Sequence, residues 1–180
     1  MRDWTRWHRP QRRLMPTELS AWLMDPGSLT RRLKQHNSNG FSVKVHGNHW
    51  VKPLTDESLL LGLPISQLAY QREVSLMDGD NANVYARTVI PLATFQAMKQ
   101  RFKALGNKPL GELLFTEPSV KRGPIEVAYL QPGQWLYEMA LLEEEYRPER
   151  LWGRRSQFDI GGNRLLVNEI FLPTLLGNEQ

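Results

Sequence analysis

The chain has 180 residues, no cysteine and a formal net charge of +4. This length suits one globular domain that folds around its own core, and the absence of cysteine excludes disulfides, thiol nucleophiles and thiolate metal sites. No apolar run approaches the roughly 20 residues of a membrane span, so we expect a cytoplasmic protein without stable membrane insertion.

The positive charge is confined to the N-terminus. Of the 23 basic and 19 acidic residues, five arginines and one aspartate lie in the first 13 positions, which leaves 18 of each sign elsewhere. We therefore predict a basic, flexible arm over residues 1–15 and a neutral domain over residues 16–180. Because Trp4 and Trp7 interrupt the arm, contact with nucleic acid or anionic lipid remains an alternative to a frayed terminus.

Two short helices are predicted after the arm. Thr17 is a plausible N-cap for TELSAWLM and Ser28 for LTRRLKQH, and Asp25-Pro26-Gly27 separates the two helices. FSVKVHGNHWV then predicts a hairpin, because Gly47-Asn48 stands at its centre.

The middle of the chain predicts a strand pair and a core helix. An acidic loop around Asp56 and Glu57 precedes the strands LAYQREVSLM and NVYARTVIP, which Asp78-Gly79-Asp80 joins. LATFQAMKQRFKALG has apolar residues at helical spacing and predicts one helix that ends at Gly106. A further helix, PLGELLF, begins at Pro109.

The last third of the chain predicts more strands. GPIEVAYL is one, and a segment that is ambiguous between strand and helix is assigned to a strand from Trp135 to Leu142. If Gly161-Gly162 forms the turn of a final hairpin, Arg154 lies opposite Glu169, whereas a one-residue slip would place Arg155 there. Since these strands follow one another as hairpins, we expect an α+β domain in which helices cover an antiparallel sheet.

Charged side chains share strand faces with apolar ones. Alternation along the strands gives apolar neighbours to Glu169, Arg154, Arg72 and Arg87. A buried charge is usually paired, so Arg154 and Glu169 form either a structural ion pair or part of a ligand pocket. Because a guanidinium group binds a carboxylate through two parallel hydrogen bonds, the arginines favour a small anionic ligand.

Other chemistries have little support in the sequence. His46 and His49 could bind a metal, but their three-residue spacing suits a helix better than a turn, so we expect two surface histidines. The motifs GxGxxG, GxxxxGK[ST] and GxSxG are absent, which argues against nucleotide-binding loops and the hydrolase elbow.

Several motifs occur together in an order typical of one family. LWGRRS, a glycine turn and LL..E.FLP form the C-terminal hairpin, and ARTVIP and KPLG occur upstream of it. The match extends from about Leu19 to Pro173. With these motifs the chain resembles the chorismate pyruvate-lyase family, whose members make 4-hydroxybenzoate in the first committed step of ubiquinone biosynthesis.

The resemblance implies one α+β domain with an internal ligand cavity, which binds chorismate and 4-hydroxybenzoate and needs no metal or other cofactor. We also expect a monomer, and the neutral charge of the domain argues against a nucleic-acid partner. Arg72 would bind the product carboxylate and Glu169 the opposite end of the ring, and both are candidate catalytic residues. Whether Glu169 transfers a proton or only anchors the ligand stays open. Arg87 or Arg154 would hold a second carboxylate or give structural support. The implied substrate-binding residues are Leu29, Arg72, Leu110 and Glu169.

Some alternatives remain open at this point. Residues 131–150 form a longer segment than in familiar members of the family, and they could extend a hairpin, form a lid or be a plain surface insertion. A non-catalytic domain that binds an aromatic carboxylate would share the same fold. The sequence also does not distinguish a 4-hydroxy from a 3-hydroxy product.

Overall fold

The computed structural model describes residues 5–177 of the chain. The strands within this range are β1 (Phe41–Val51), β2 (Ala69–Asp78), β3 (Asn81–Pro91), β4 (Val120–Arg122), β5 (Glu126–Leu130), β6 (Leu151–Ile160) and β7 (Asn163–Phe171). The α-helices are α1 (Thr17–Leu23), α2 (Leu29–His36), α3 (Thr55–Leu61), α4 (Leu92–Ala97), α5 (Lys99–Lys103), α6 (Leu110–Thr116) and α7 (Trp135–Ala140). Two 3₁₀ turns lie at Arg12–Leu14 and Pro173–Leu176.

The strands form one antiparallel sheet. Its order is β1-β2-β3-β7-β6, and the outer edge of β6 pairs with both β4 and β5. All the strand pairs are antiparallel, and helices cover both faces. The predicted α+β fold with an antiparallel sheet is therefore confirmed.

The sheet separates two interiors. We call the face that carries Val74, Ala86 and Val167 the ligand face, and α1, α2, α5 and α6 pack against it. The face that carries Tyr85 and Ile170 is the back face, and α3 and α7 pack against it. Because side chains alternate along a strand, successive residues of the central strands β2, β3, β6 and β7 point to opposite faces.

The C-terminal hairpin has the predicted register. Gly161 and Gly162 have φ angles of +60° and +88°, and a two-residue turn that follows the twist of its strands requires such left-handed positions. Ile160 consequently pairs with Asn163, and Arg154 lies directly opposite Glu169. The β2–β3 hairpin also forms where it was predicted.

The predicted hairpin at Gly47-Asn48 is wrong. β1 is one strand of 11 residues that pairs with β2 on both sides of a register shift between Val45 and Gly47. A Cβ atom on Gly47 would lie 2.4 Å from the ring of His49. The glycine therefore allows a close contact at a bulge and does not form a turn.

Three other local predictions differ from the structure. The acidic loop is helix α3, in which the Glu57 carboxylate accepts a hydrogen bond from the Leu54 amide at 2.9 Å and so caps the first turn. The single helix that was predicted to end at Gly106 is divided into α4 and α5 at Met98, whose φ of −120° leaves the helical region. The predicted strand from Trp135 to Leu142 is helix α7.

Helix α7 forms because of where its apolar residues fall. Leu136, Tyr137, Ala140 and Leu141 lie one helical turn apart in pairs, and all four are buried against the back face. The long segment 131–150 thus covers the back face with a helix, and it does not form a lid over the ligand face.

At the start of the described chain, Thr5 is buried, and Trp7 and His8 contact the domain. Trp7 Nε1 donates a hydrogen bond to Asp56 Oδ2 at 2.8 Å, and the backbones of His8 and Val127 exchange two hydrogen bonds. The Trp7 ring also approaches Gly153, where a Cβ atom would lie 3.5 Å from it. Residues 1–4, which include Trp4, lie outside the described residues.

Candidate active site

A cavity lies on the ligand face of the sheet. Strands β2, β3, β6 and β7 form its floor, and residues from the starts of α2 and α6 cover it. Its lining is mainly apolar, as is typical of small-molecule sites. The polar side chains among its lining residues are Thr30, Arg72, Thr88, Arg122, Arg154 and Glu169.

Arg72 reaches this cavity from β2. Its side chain is buried, and Nη2 donates hydrogen bonds to the carbonyls of Gly106 at 2.9 Å and Lys108 at 3.1 Å. Over residues 5–177 no carboxylate lies within ion-pair distance of it. Burial lowers the pKa of Arg72, which is the expected direction for a cation held without a counterion. The remaining N–H groups are thus available to an anion.

Glu169 and Arg154 form the ion pair that the hairpin register predicts. Arg154 Nε lies 2.6 Å from Glu169 Oε2, and Nη1 donates to the carbonyls of Trp22 at 2.9 Å and Asp25 at 2.7 Å. Arg154 is only 1% exposed, and the Glu169 side chain is 16% exposed. Because Arg154 holds Oε2, the other oxygen, Oε1, is the one that a ligand can meet.

Sequence reasoning missed Arg122. It lies on β4, where Nε donates to Ser156 Oγ at 2.9 Å and Nη1 to the Pro26 carbonyl at 3.0 Å. Burial and the neighbouring Arg154 lower its pKa to about 10, although Glu169 acts in the opposite direction. A strand of three residues has too little alternation to show which face Arg122 occupies, so only its pairing with β6 reveals the site.

Leu29 and Leu110 both line the cavity. Leu29 is the first residue of α2, which Ser28 caps by accepting a hydrogen bond from the Arg31 amide at 3.3 Å. At the start of α6, a Cβ atom on Gly111 would lie 2.6 Å from Thr30 Oγ1. The glycine therefore permits the close approach of α2 and α6 that encloses the cavity.

Two buried threonines also line the cavity. Thr88 pairs with Arg72 on one side and with Val167 on the other, so it lies in the centre of the floor. Thr30 lies at the start of α2, on the other side of the cavity. A ligand in the cavity can therefore form hydrogen bonds with either hydroxyl.

Arg87 does not reach the cavity. It lies on the back face, where Nε and Nη2 contact the two carboxylate oxygens of Glu57 at 2.8 and 3.0 Å, and Nη1 donates to Gln71. Asn168 completes the network by donating to Glu57 at 2.9 Å. These contacts fit the structural-support alternative for Arg87, and they do not fit a bond to a ligand carboxylate in the cavity.

The two histidines considered as metal ligands lie on β1. His46 Nε2 is 2.8 Å from Ser75 Oγ on the back face. Among the described residues there is no group of three or more His, Asp or Glu side chains that could hold a metal ion.

None of the helices between residues 5 and 177 has the length and apolar character that a membrane span needs.

The fold and the site define an α+β protein with a largely apolar cavity, and the charged side chains that line it are Arg72, Arg122, Arg154 and Glu169. The family model described as chorismate lyase matches residues 1–180. A probable chorismate pyruvate-lyase from Aromatoleum aromaticum is 41% identical over 93% of this chain and 91% of its own length. One from Methylococcus capsulatus is 38% identical over 88% and 96%. The chain therefore belongs to the chorismate lyase family.

Solved structures with similar folds are far more distant in sequence. PhnF from Mycobacterium smegmatis superposes with a TM-score of 0.58 at 9% identity, over 82% of this chain and 64% of that one. A transcriptional regulator of the GntR family from Bacillus cereus gives a TM-score of 0.55 at 12% identity, over 76% and 93%. At these identities the likeness concerns the fold alone.

Proposed function

We propose that the protein eliminates pyruvate from chorismate and releases 4-hydroxybenzoate, the first committed step of ubiquinone biosynthesis. The proposal rests on one cavity in which a buried Arg72 on β2 has no carboxylate partner and the Glu169 carboxylate lies two strands away on β7. Two strand spacings correspond to about 10 Å, which suits a benzene ring with polar groups at opposite ends. Membership of the chorismate lyase family supports the same reaction.

In this proposal the ring carboxylate binds Arg72 and the ring hydroxyl donates to Glu169 Oε1. The guanidinium group remains charged when it is desolvated and offers a planar fork of donors to a carboxylate. Leu29 and Leu110 then cover the apolar ring from the starts of α2 and α6. Glu169 and Arg72 are the candidate catalytic residues, because both would touch the substrate.

The reaction needs little more than positioning and a proton transfer. The ring carbon that bears the hydroxyl loses its proton, and the electron pair of that bond completes the aromatic ring as the ether C–O bond breaks. The enolpyruvyl group leaves as the enolate of pyruvate and takes up one proton at its methylene carbon. Holding the substrate in the reactive conformation is therefore the main contribution of the cavity, and no cofactor is required.

Incubation with chorismate tests the proposal directly. We expect pyruvate and 4-hydroxybenzoate in equal amounts, measured by a coupled pyruvate assay and by chromatography that separates the 3-hydroxy from the 4-hydroxy isomer. Tight binding of 4-hydroxybenzoate without any release of pyruvate from chorismate would instead favour the non-catalytic binding domain. Release of 3-hydroxybenzoate would retain the reaction class but change the product.

We further propose that the protein acts as a cytoplasmic monomer that binds no nucleic acid. The balanced charge outside the first 13 residues supports this, since it leaves the domain without a net attraction to phosphates. Light scattering coupled to size exclusion measures the mass in solution, for which we expect the 20.9 kDa of one chain.

A further inference from the structure

The cavity contains more positive charge than one carboxylate requires. Arg72, Arg122 and Arg154 line it, and Glu169 is the one carboxylate among the described lining residues. Since Glu169 is paired with Arg154, two guanidinium groups are left without a carboxylate. A ligand with two carboxylates matches that surplus, whereas a ligand with one carboxylate leaves a buried charge unpaired.

The two unpaired arginines lie on opposite sides of the cavity. Arg72 belongs to β2 and Arg122 to β4, which are four positions apart in the sheet order. At a strand spacing of about 4.8 Å their backbones are well separated, and both long side chains extend inward from the rim. Each can therefore meet a different end of one ligand.

Arg122 is held in a fixed orientation. Ser156 and the Pro26 carbonyl accept from its Nε and Nη1, and its guanidinium carbon lies 5.4 Å from the centre of the Phe158 ring. In the chain from residue 5 to residue 177, Nη2 has no hydrogen-bond partner. Arg154 is less available, because it already binds Glu169 and two backbone carbonyls.

We propose that Arg122 binds the enolpyruvyl carboxylate of chorismate and so distinguishes the substrate from the product. This inference rests on the proposed function. The product, 4-hydroxybenzoate, lacks that second carboxylate, so it binds through Arg72 and Glu169 alone. Departure of pyruvate then removes the ligand of Arg122 and leaves that side of the cavity unbound.

The test compares Arg122→Gln with Arg32→Gln as a matched control. Arg32 contacts the same turn, through the Ala21 carbonyl at 2.6 Å and Asp25 at 3.1 Å, but it does not line the cavity. For Arg122→Gln we expect KM for chorismate to rise about 30-fold or more, and Kd for 4-hydroxybenzoate, measured by calorimetry, to change less than about threefold. Arg32→Gln should leave both constants close to those of the wild type.

The Arg122→Lys variant and direct binding of chorismate test the same assignment in two further ways. Arg122→Lys retains a positive charge, so it should recover part of the loss in KM and guards against a Gln variant that fails to fold. An equal loss of affinity for chorismate and for 4-hydroxybenzoate, or an unchanged KM, would overturn the assignment. If the wild type released no pyruvate, the proposed function would fail, and calorimetric binding of chorismate to wild type and Arg122→Gln would still test the second carboxylate site.

Discussion

The two faces of the sheet bury their arginines in different ways. On the back face, Arg87 binds both oxygens of Glu57, and Arg155 contacts Asp56 and Glu126, each at 2.7 Å. On the ligand face, Arg72 donates to two backbone carbonyls and has no carboxylate partner in the described chain. The sheet therefore separates Arg87 and Arg155, whose charges are neutralised by carboxylates, from Arg72, whose charge is not.

Burial alone does not identify a binding arginine. Arg87 is 1% exposed and Arg72 is 6% exposed, yet their hydrogen-bond partners differ completely. A buried cation whose counterion is built into the protein stabilises the fold or its specificity, whereas a buried cation without one is available to a ligand. Substitutions on the two faces should therefore differ in whether they change stability or ligand binding.

Arg87→Ala should destabilise the fold on the back face without removing any group that contacts the ligand. The variant leaves Glu57, which is fully buried, without its ion pair, so we expect the free energy of unfolding to fall by about 3 to 5 kcal/mol in urea titrations. Arg101→Ala is the control, because its pair with Glu117 is exposed and should contribute less than about 1 kcal/mol. A stable Arg87→Ala protein that no longer binds 4-hydroxybenzoate would contradict the division between the faces.

Arg72→Ala should weaken ligand binding strongly and leave the stability of the fold nearly unchanged. Removal of the guanidinium group takes away the counterion of the ring carboxylate, and we expect Kd for 4-hydroxybenzoate to rise roughly 100-fold or more by calorimetry. Stability should change little, since only two hydrogen bonds to carbonyls are lost. Arg72→Lys keeps the charge but loses the planar fork, so its Kd for 4-hydroxybenzoate should lie between those of the wild type and Arg72→Ala. A nearly normal titration of Arg72→Ala would refute the proposal that Arg72 binds the ring carboxylate.

Sequence patterns predicted those parts of the site that lie on long, regular strands. Alternation along β6 and β7, with a Gly-Gly turn to set the register, was enough to place Arg154 opposite Glu169. The same alternation put Arg72 on an apolar face. It also put Arg87 on an apolar face, but alternation does not tell which of two buried faces contains the cavity.

The parts that were missed depend on tertiary contacts. Arg122 lies on a strand of three residues whose orientation is set by pairing with β6. In helix α7, Trp135 and Tyr137 are of types that favour strands, and the packing of the helix on the back face overrides that preference. Trp7 holds the N-terminal segment on the domain through Asp56, a partner 49 positions away.

Glu169→Gln tests what the paired carboxylate on the ligand face contributes. The substitution preserves shape and one acceptor oxygen, so we expect Kd for 4-hydroxybenzoate to change only severalfold. If Glu169 takes part in proton transfer, kcat for chorismate should fall about tenfold or more. Unchanged turnover together with full product binding would show that Glu169 is an anchor and takes no part in moving the proton.

Asp56→Asn tests a buried carboxyl group on the back face whose charge Arg155 compensates only in part. Burial, helped by the adjacent Glu57 and opposed by Arg155, raises the pKa of Asp56 to about 6, and its Oδ1 has no hydrogen-bond partner. A raised pKa means that the folded state favours the protonated acid, so its contribution to stability is present below about pH 4 and is lost as pH rises through about 6. Because asparagine does not titrate, the variant should gain about 1 to 2 kcal/mol of unfolding free energy relative to wild type between pH 4 and 6. Urea titrations across that range, with the exposed Asp80→Asn as control, measure the difference; a relative loss with rising pH would mean that pairing with Arg155 outweighs burial at Asp56.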